Sequence, residues 1–118
     1  MLKAEVGSSV ASDAYRAGKE AAAKAALTGA KVAFAYSSCA YDQGALLKGV
    51  AEALPGVPVV GCTSFTGIIT PEGFVSGPDG YVGVMTLADD DVVYGVAGSE
   101  KGACARETGR QVARAAMA

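Results

Sequence analysis

Between residues 12 and 29 the chain reads SDAYRAGKEAAAKAALTG, with small apolar positions recurring at helical spacing. Ala14, Tyr15, Gly18, Ala22, Ala25 and Ala26 share one side, while Asp13, Arg16, Glu20 and Lys24 share the other. Ser12 is placed to cap this helix and Gly29 to stop it. A stripe made almost wholly of alanine and glycine lets a helix lie close to a sheet, though each contact buries little area. Glu20 precedes Lys24 by four residues, the spacing of a helix ion pair worth about 0.3–0.5 kcal/mol.

The period then shortens. KVAFAYS, residues 31–37, is apolar on both faces, as a strand covered on both sides reads. In YDQGALLKGVAEALPG the apolar residues Leu46, Leu47, Val50 and Leu54 return to one helical face, and Pro55-Gly56 halts it. A second apolar strand, VPVVG at 57–61, follows at once. Strand, helix and strand within about thirty residues make a βαβ unit, which requires parallel strands and a right-handed crossover.

Beyond Thr70 the pattern turns irregular. Residues 71–80, PEGFVSGPDG, carry prolines and glycines enough for a long loop or tip. YVGVMTLADDDVVYGVAG predicts two strands around Asp89-Asp90-Asp91, an antiparallel hairpin. The closing GACARETGRQVARAAMA predicts a helix with Ala103, Val112 and Ala116 inward. The fold expected is one α/β domain over 1–118: a mixed sheet with an N-terminal βαβ unit, a later hairpin and packed helices. No linker, repeat or low-complexity tract stands out beyond the alanine-rich helices.

Composition narrows the function more by exclusion. At 51% hydrophobic and 19% charged, the chain is suited to a packed core and not to disorder. A formal net charge of -2 supplies no field for nucleic acid or an acidic membrane. No run approaches the ~18 apolar residues of a membrane span, and the N-terminus lacks a basic-then-apolar signal pattern. The expectation is a cytoplasmic protein with reduced thiols. Histidine is absent, which removes the usual general base and the commonest metal ligand. Cys39, Cys62 and Cys104 form no CxxC pair, so neither zinc nor any other cofactor is expected.

Two strand ends could carry chemistry. The first exits into Ser37, Ser38 and Cys39, then Tyr41-Asp42 at a helix start; the second exits into Gly61, Cys62, Thr63 and Ser64. If the strands are parallel neighbours, both exits lie at the carboxyl edge of the sheet, where open α/β folds bind ligands. Hydroxyls and free N–H groups beside a helix N-terminus favour a carboxylate or phosphate. Ser37, Ser38 and Asp42 read equally well as helix caps. Cys62 could be a nucleophile, but no base or cation adjoins it in sequence, which favours a small packed residue lining a pocket. The glycines from Gly61 to Gly80 fall between strands without the lysine of a phosphate loop, and positive-φ turns explain them. Asp89–Asp91 lacks the alternation of a calcium loop. Arg106, Arg110 and Arg114 read as a solvated helix face.

Three stretches, FAYSSCAYDQGALLKGV, PVVGCTSFTGII and DGYVGVMTL, together resemble the N-terminal part of the FIST domain, a bacterial sensory module. The resemblance covers residues 31–88. It rests on a strand ending near a serine, a YD opening a helix, a GC turn followed by hydroxyls, and a glycine-valine strand. It implies signal input by a small ligand such as an amino acid, coupled to a kinase, cyclase or chemotaxis output. The positions it carries over are Ser37, Tyr41, Asp42, Gly61, Cys62, Thr63 and Ser64. Where that family continues the turn with Gly-Glu, this chain has Thr66-Gly67-Ile68. Haem, which some members use, is out of reach of imidazole ligation here. The chain is also short for the family's whole sensory region, as an excised fragment or a stand-alone remnant is.

The reading that follows is a non-enzymatic ligand-binding module, with a homodimer and a separate signalling output protein as partners. One rival is a small cysteine-dependent enzyme using Cys62. The other is an oligomerisation scaffold whose Ala/Gly stripes face another subunit.

Overall fold

A computed structural model describes residues 1–118. Its elements run β1 (Lys3–Ser9), α1 (Ala14–Lys24), β2 (Val32–Ser38), α2 (Gln43–Ala53), β3 (Val59–Ser64), β4 (Ile68–Thr70), β5 (Gly73–Val75), β6 (Val82–Ala88) and α3 (Ala105–Met117). Four strands form one mixed sheet in the order β1-β6-β2-β3, and β4 and β5 form a separate antiparallel hairpin. The α/β class is as expected. β2 and β3 are parallel, with Ala35 opposite Gly61 and Ser37 opposite Thr63. β6 lies antiparallel to both β1 and β2.

α1 and α2 cover one face of this sheet, and their close approach explains the small-residue stripe. A Cβ built at Gly18 would run into the Leu46 carbonyl, and one at Gly49 into the Tyr15 carbonyl. Gly7 of β1 similarly leaves room for the backbone of Ala21 and Ala25. Ala17, Ala21, Ala22 and Ala25 are wholly buried with Leu46, Val50 and Val82. Thr86, also wholly buried, donates its hydroxyl to the Ala25 carbonyl at 2.5 Å, satisfying a helix-end acceptor that would otherwise be stranded.

Several details differ from the sequence reading. β1 was not foreseen, because Val6 is its only large apolar residue and faces outward. Asp13, not Ser12, caps α1, accepting from the Arg16 N–H at 2.8 Å. The helix ends at Lys24, well before Gly29, whose φ of 77° serves the later turn. Glu20 pairs with Arg16 at 2.7 Å, while Lys24 instead donates to the Ser8 carbonyl at 2.9 Å. Ala26 and Leu47 are exposed, off the faces assigned to them.

Two corrections bear on function. Helices cover one face of the sheet only: Tyr36 of β2 is 43% exposed on the other, and β3, as an edge strand, is exposed from Val60 to Thr63. The hairpin around Asp89–Asp91 does not form. Both edges of β6 are already taken, by β1 and β2, so the run after it has no edge of β6 left to pair with. Residues 89–104 contain no strand or helix, and α3 buries no residue, with Ala103 exposed and Val112 and Ala116 half-buried. Residues 71–80 are less irregular than expected, since Gly73–Val75 pairs with β4 before the loop.

Candidate functional site

The connection from β2 to α2 is held by Gln43, a residue sequence reasoning passed over. Its amide nitrogen donates to the carbonyls of Ser38 and Tyr41 at 2.9 and 3.0 Å, and its oxygen accepts from the Ser37 hydroxyl at 2.7 Å. Ser38 accepts from the Ala40 N–H at 3.1 Å, and Asp42 caps α2 by accepting from the Ala45 N–H at 2.9 Å. Tyr41 is buried, and its hydroxyl donates to the Ala11 carbonyl at 2.5 Å. Burial, with a lesser push from Glu20, raises its pKa above the ordinary phenol value. Four of the predicted residues thus hold the loop together with their polar groups. Cys39 is exposed at the turn between Ser38 and Ala40.

β3 divides the others between two faces. Successive residues of a strand point to opposite sides. Register places Thr63 beside Ser37 on the helix-covered face and Cys62 beside Tyr36 on the uncovered one. Gly61 owes its identity to closeness to β2, since a Cβ there would run into the Ala35 carbonyl; Gly73, Gly77 and Gly80 do adopt positive φ. Ser64 donates to the Gly67 carbonyl and accepts at its own carbonyl from Tyr81 at 2.7 Å, which anchors the turn into the hairpin.

A cavity flanks β3 on each side. On the helix side, about 500 Å³ is bounded by Ser37, Gly61, Thr63, Leu46, Leu47 and the segment Val96–Gly98. On the uncovered side, about 780 Å³ lies between the sheet and the β4–β5 hairpin. Tyr36, Cys62, Ser64 and Met85 form its sheet wall, and Ile68, Thr70, Glu72 and Val75 its hairpin wall. Lys24 is the basic residue that reaches this cleft and Glu72 the acidic one. No three His, Cys, Asp or Glu side chains gather as a metal site would require.

No helix is long and apolar enough to cross a membrane. The FIST N domain family model matches residues 31–118. The match therefore extends past β6, through the irregular segment and α3. Among curated proteins and solved structures, nothing matches.

Proposed function

The chain belongs to the FIST N domain family, a sensory family of signal transduction, and from that premise we propose that it binds a free amino acid in the cleft beneath the β4–β5 hairpin. The observation that carries this reading is the composition of that cleft. Val6, Met85, Ile68 and Val75 make an apolar wall, and one cation, Lys24, and one anion, Glu72, border it. A pocket with apolar walls and a few charged groups is the general pattern for a small ligand. The ammonium of Lys24 suits a carboxylate and the carboxylate of Glu72 an ammonium, so a zwitterion is favoured over a simple anion. Cys62 and Tyr36 supply the floor. The Ser37, Ser38 and Asp42 side chains are committed to the loop, so they serve by shaping it.

The module acts without catalysis in this reading, because an exposed thiol with no imidazole anywhere in the chain lacks a base to activate it. Three free thiols suit a reducing compartment, hence the cytoplasm. Its partners are a second copy and an output protein, and Phe65, Ile69 and Phe74 on and beside the hairpin, 87%, 89% and 65% exposed, offer apolar surface to one of them.

Thermal-shift screening against the amino acids, followed by calorimetry, tests the reading. A ligand at a hundred times its Kd adds about 2.7 kcal/mol to stability. Lys24→Met and Glu72→Gln each weaken binding about tenfold or more, the cost of a lost charged hydrogen bond. Stabilisation by cations alone, or binding indifferent to both substitutions, contradicts it.

A further inference from the structure

In sequence, residues 89–117 partly echo the unit formed by β1 and α1, although the structure forms no strand there. Aligning Ala14–Ala26 with Ala105–Met117 matches Ala14, Gly18, Ala22 and Ala25 with Ala105, Gly109, Ala113 and Ala116. Ahead of each helix stands a glycine in a run of strand character, Gly7 in EVGSS and Gly95 in VYGVA. The packing corresponds as well as the sequence. A Cβ on Gly7 would strike Ala21 and Ala25 near the end of α1, and a Cβ on Gly95 would strike Ala116, the counterpart of Ala25. The three half-buried residues of α3, Thr108, Val112 and Ala116, are the counterparts of buried Ala17, Ala21 and Ala25.

The two units differ in what lies outside them. β1 is paired along β6, and Gly18 of α1 is pressed against α2. Residues 94–98 pair with nothing, and the counterpart of Gly18, Gly109, has no atom within 4 Å of a Cβ built there. One edge of the sheet is also unpaired. The Ala33 N–H donates to the Pro58 carbonyl at 2.9 Å, so by the alternation of a strand Val60 and Cys62 face β2, while Val59, Gly61 and Thr63 turn their backbone groups to the open edge.

We propose that residues 94–98 add to the outer edge of β3 as a fifth, parallel strand, with α3 laid beside α2. Position favours it, since Val96–Gly98 already border the same cavity as Val59–Thr63 and Leu47. Reach permits it. β6 ends where β3 begins, and three strand spacings of about 4.8 Å separate β6 from the position beyond β3. The six residue steps from Ala88 to Tyr94 span up to about 20 Å. Orientation agrees too. β1, β2 and β3 all run one way, so a copy of the β1–α1 unit added parallel to β3 brings its helix to the face that already carries α1 and α2. The edge is occupied by this same chain, and the inference stands whether or not the cleft on the opposite face binds a ligand.

Amide hydrogen exchange of the intact chain, read residue by residue, tests it. The Gly61 and Thr63 amides exchange at least about tenfold more slowly than amides of an exposed loop. The double substitution Val96→Pro/Ala97→Pro, which removes the donor on either side of the added strand, abolishes that slowing and leaves the β2 amides unchanged. Unslowed exchange in the unaltered chain overturns the proposal, as does slowing that survives the double substitution. Slowing that grows with protein concentration alongside a doubled mass assigns the edge to a second copy and overturns it equally.

Discussion

α1 and α3 present the same kind of face and meet opposite fates. Along α1 and its C-terminal cap, Ala17, Ala21, Ala22 and Ala25 are fully buried, whereas α3 buries nothing. Helical pattern does not account for the difference. α1 has β1 beneath it and α2 beside it, with glycines on both helices removing the atoms that would hold them apart. α3 meets the backbone around Gly95 and, at Thr108, the N–H of Gly102, with no helix beside it. A small-residue stripe contributes little area of its own, so its burial depends on how closely a neighbouring backbone can approach.

The comparison is sharpest at a large side chain of the core. Leu46 is 1% exposed, and Leu46→Ala costs about 2–5 kcal/mol in urea unfolding. Val112→Ala, on the half-buried stripe of α3, costs under about 1 kcal/mol; equal costs would break the distinction. Gly18→Ala comes next. Its added methyl meets the Leu46 backbone and not a flexible side chain, so α1 must shift, at about 1–3 kcal/mol. A neutral Gly18→Ala would mean that α1 and α2 are less closely packed than described.

Buried polar groups give a smaller effect. Thr86→Val leaves the Ala25 carbonyl without its donor in a fully buried setting, and a midpoint shift equivalent to about 1–3 kcal/mol is expected. Gln43→Ala frees two loop carbonyls in less buried surroundings and costs about 1–2 kcal/mol.

The smallest effect is electrostatic. The Glu20 carboxyl is held below its ordinary pKa by the Arg16 hydrogen bond and then by Ser9, and Glu52 by Tyr15 and then by Lys19. A carboxyl whose pKa falls on folding stabilises the folded state above its unfolded pKa of 4.5 and loses that contribution as pH drops through the folded value. Stability therefore declines from about pH 5 downward, modestly, because Glu52 is exposed and Glu20 half-exposed. The Glu20→Gln/Glu52→Gln pair flattens that decline in a pH series; an unchanged slope assigns it to other carboxyls.

How far the sequence carried can be judged from particular elements. The parallel β2–α2–β3 unit was legible because helical and strand periods alternate cleanly from Lys31 to Gly61. β1 was not, since it is a polar edge strand recruited by β6 from across the chain. The expected second hairpin failed for a reason no local pattern holds: β6 had no vacant edge. At the candidate site, the positions along the chain were readable but their partition was not. Cys62 and Thr63 are neighbours in sequence and point to opposite faces of the sheet, a consequence of register. The role of Gln43 depends on where two carbonyls point, which composition does not reveal.

The contrast between the two helices is tested most directly by native-state hydrogen exchange across a series of low urea concentrations. The amides of Ala21, Ala22 and Ala25 in α1 should open only with global unfolding, showing its full free energy and steep urea dependence. Those of Val112, Ala113 and Ala116 in α3 should open at a markedly lower free energy with little urea dependence, whether or not residues 94–98 pair with β3. If both sets fall on one isotherm, α1 and α3 belong to a single cooperative unit, and the difference in burial has no energetic meaning.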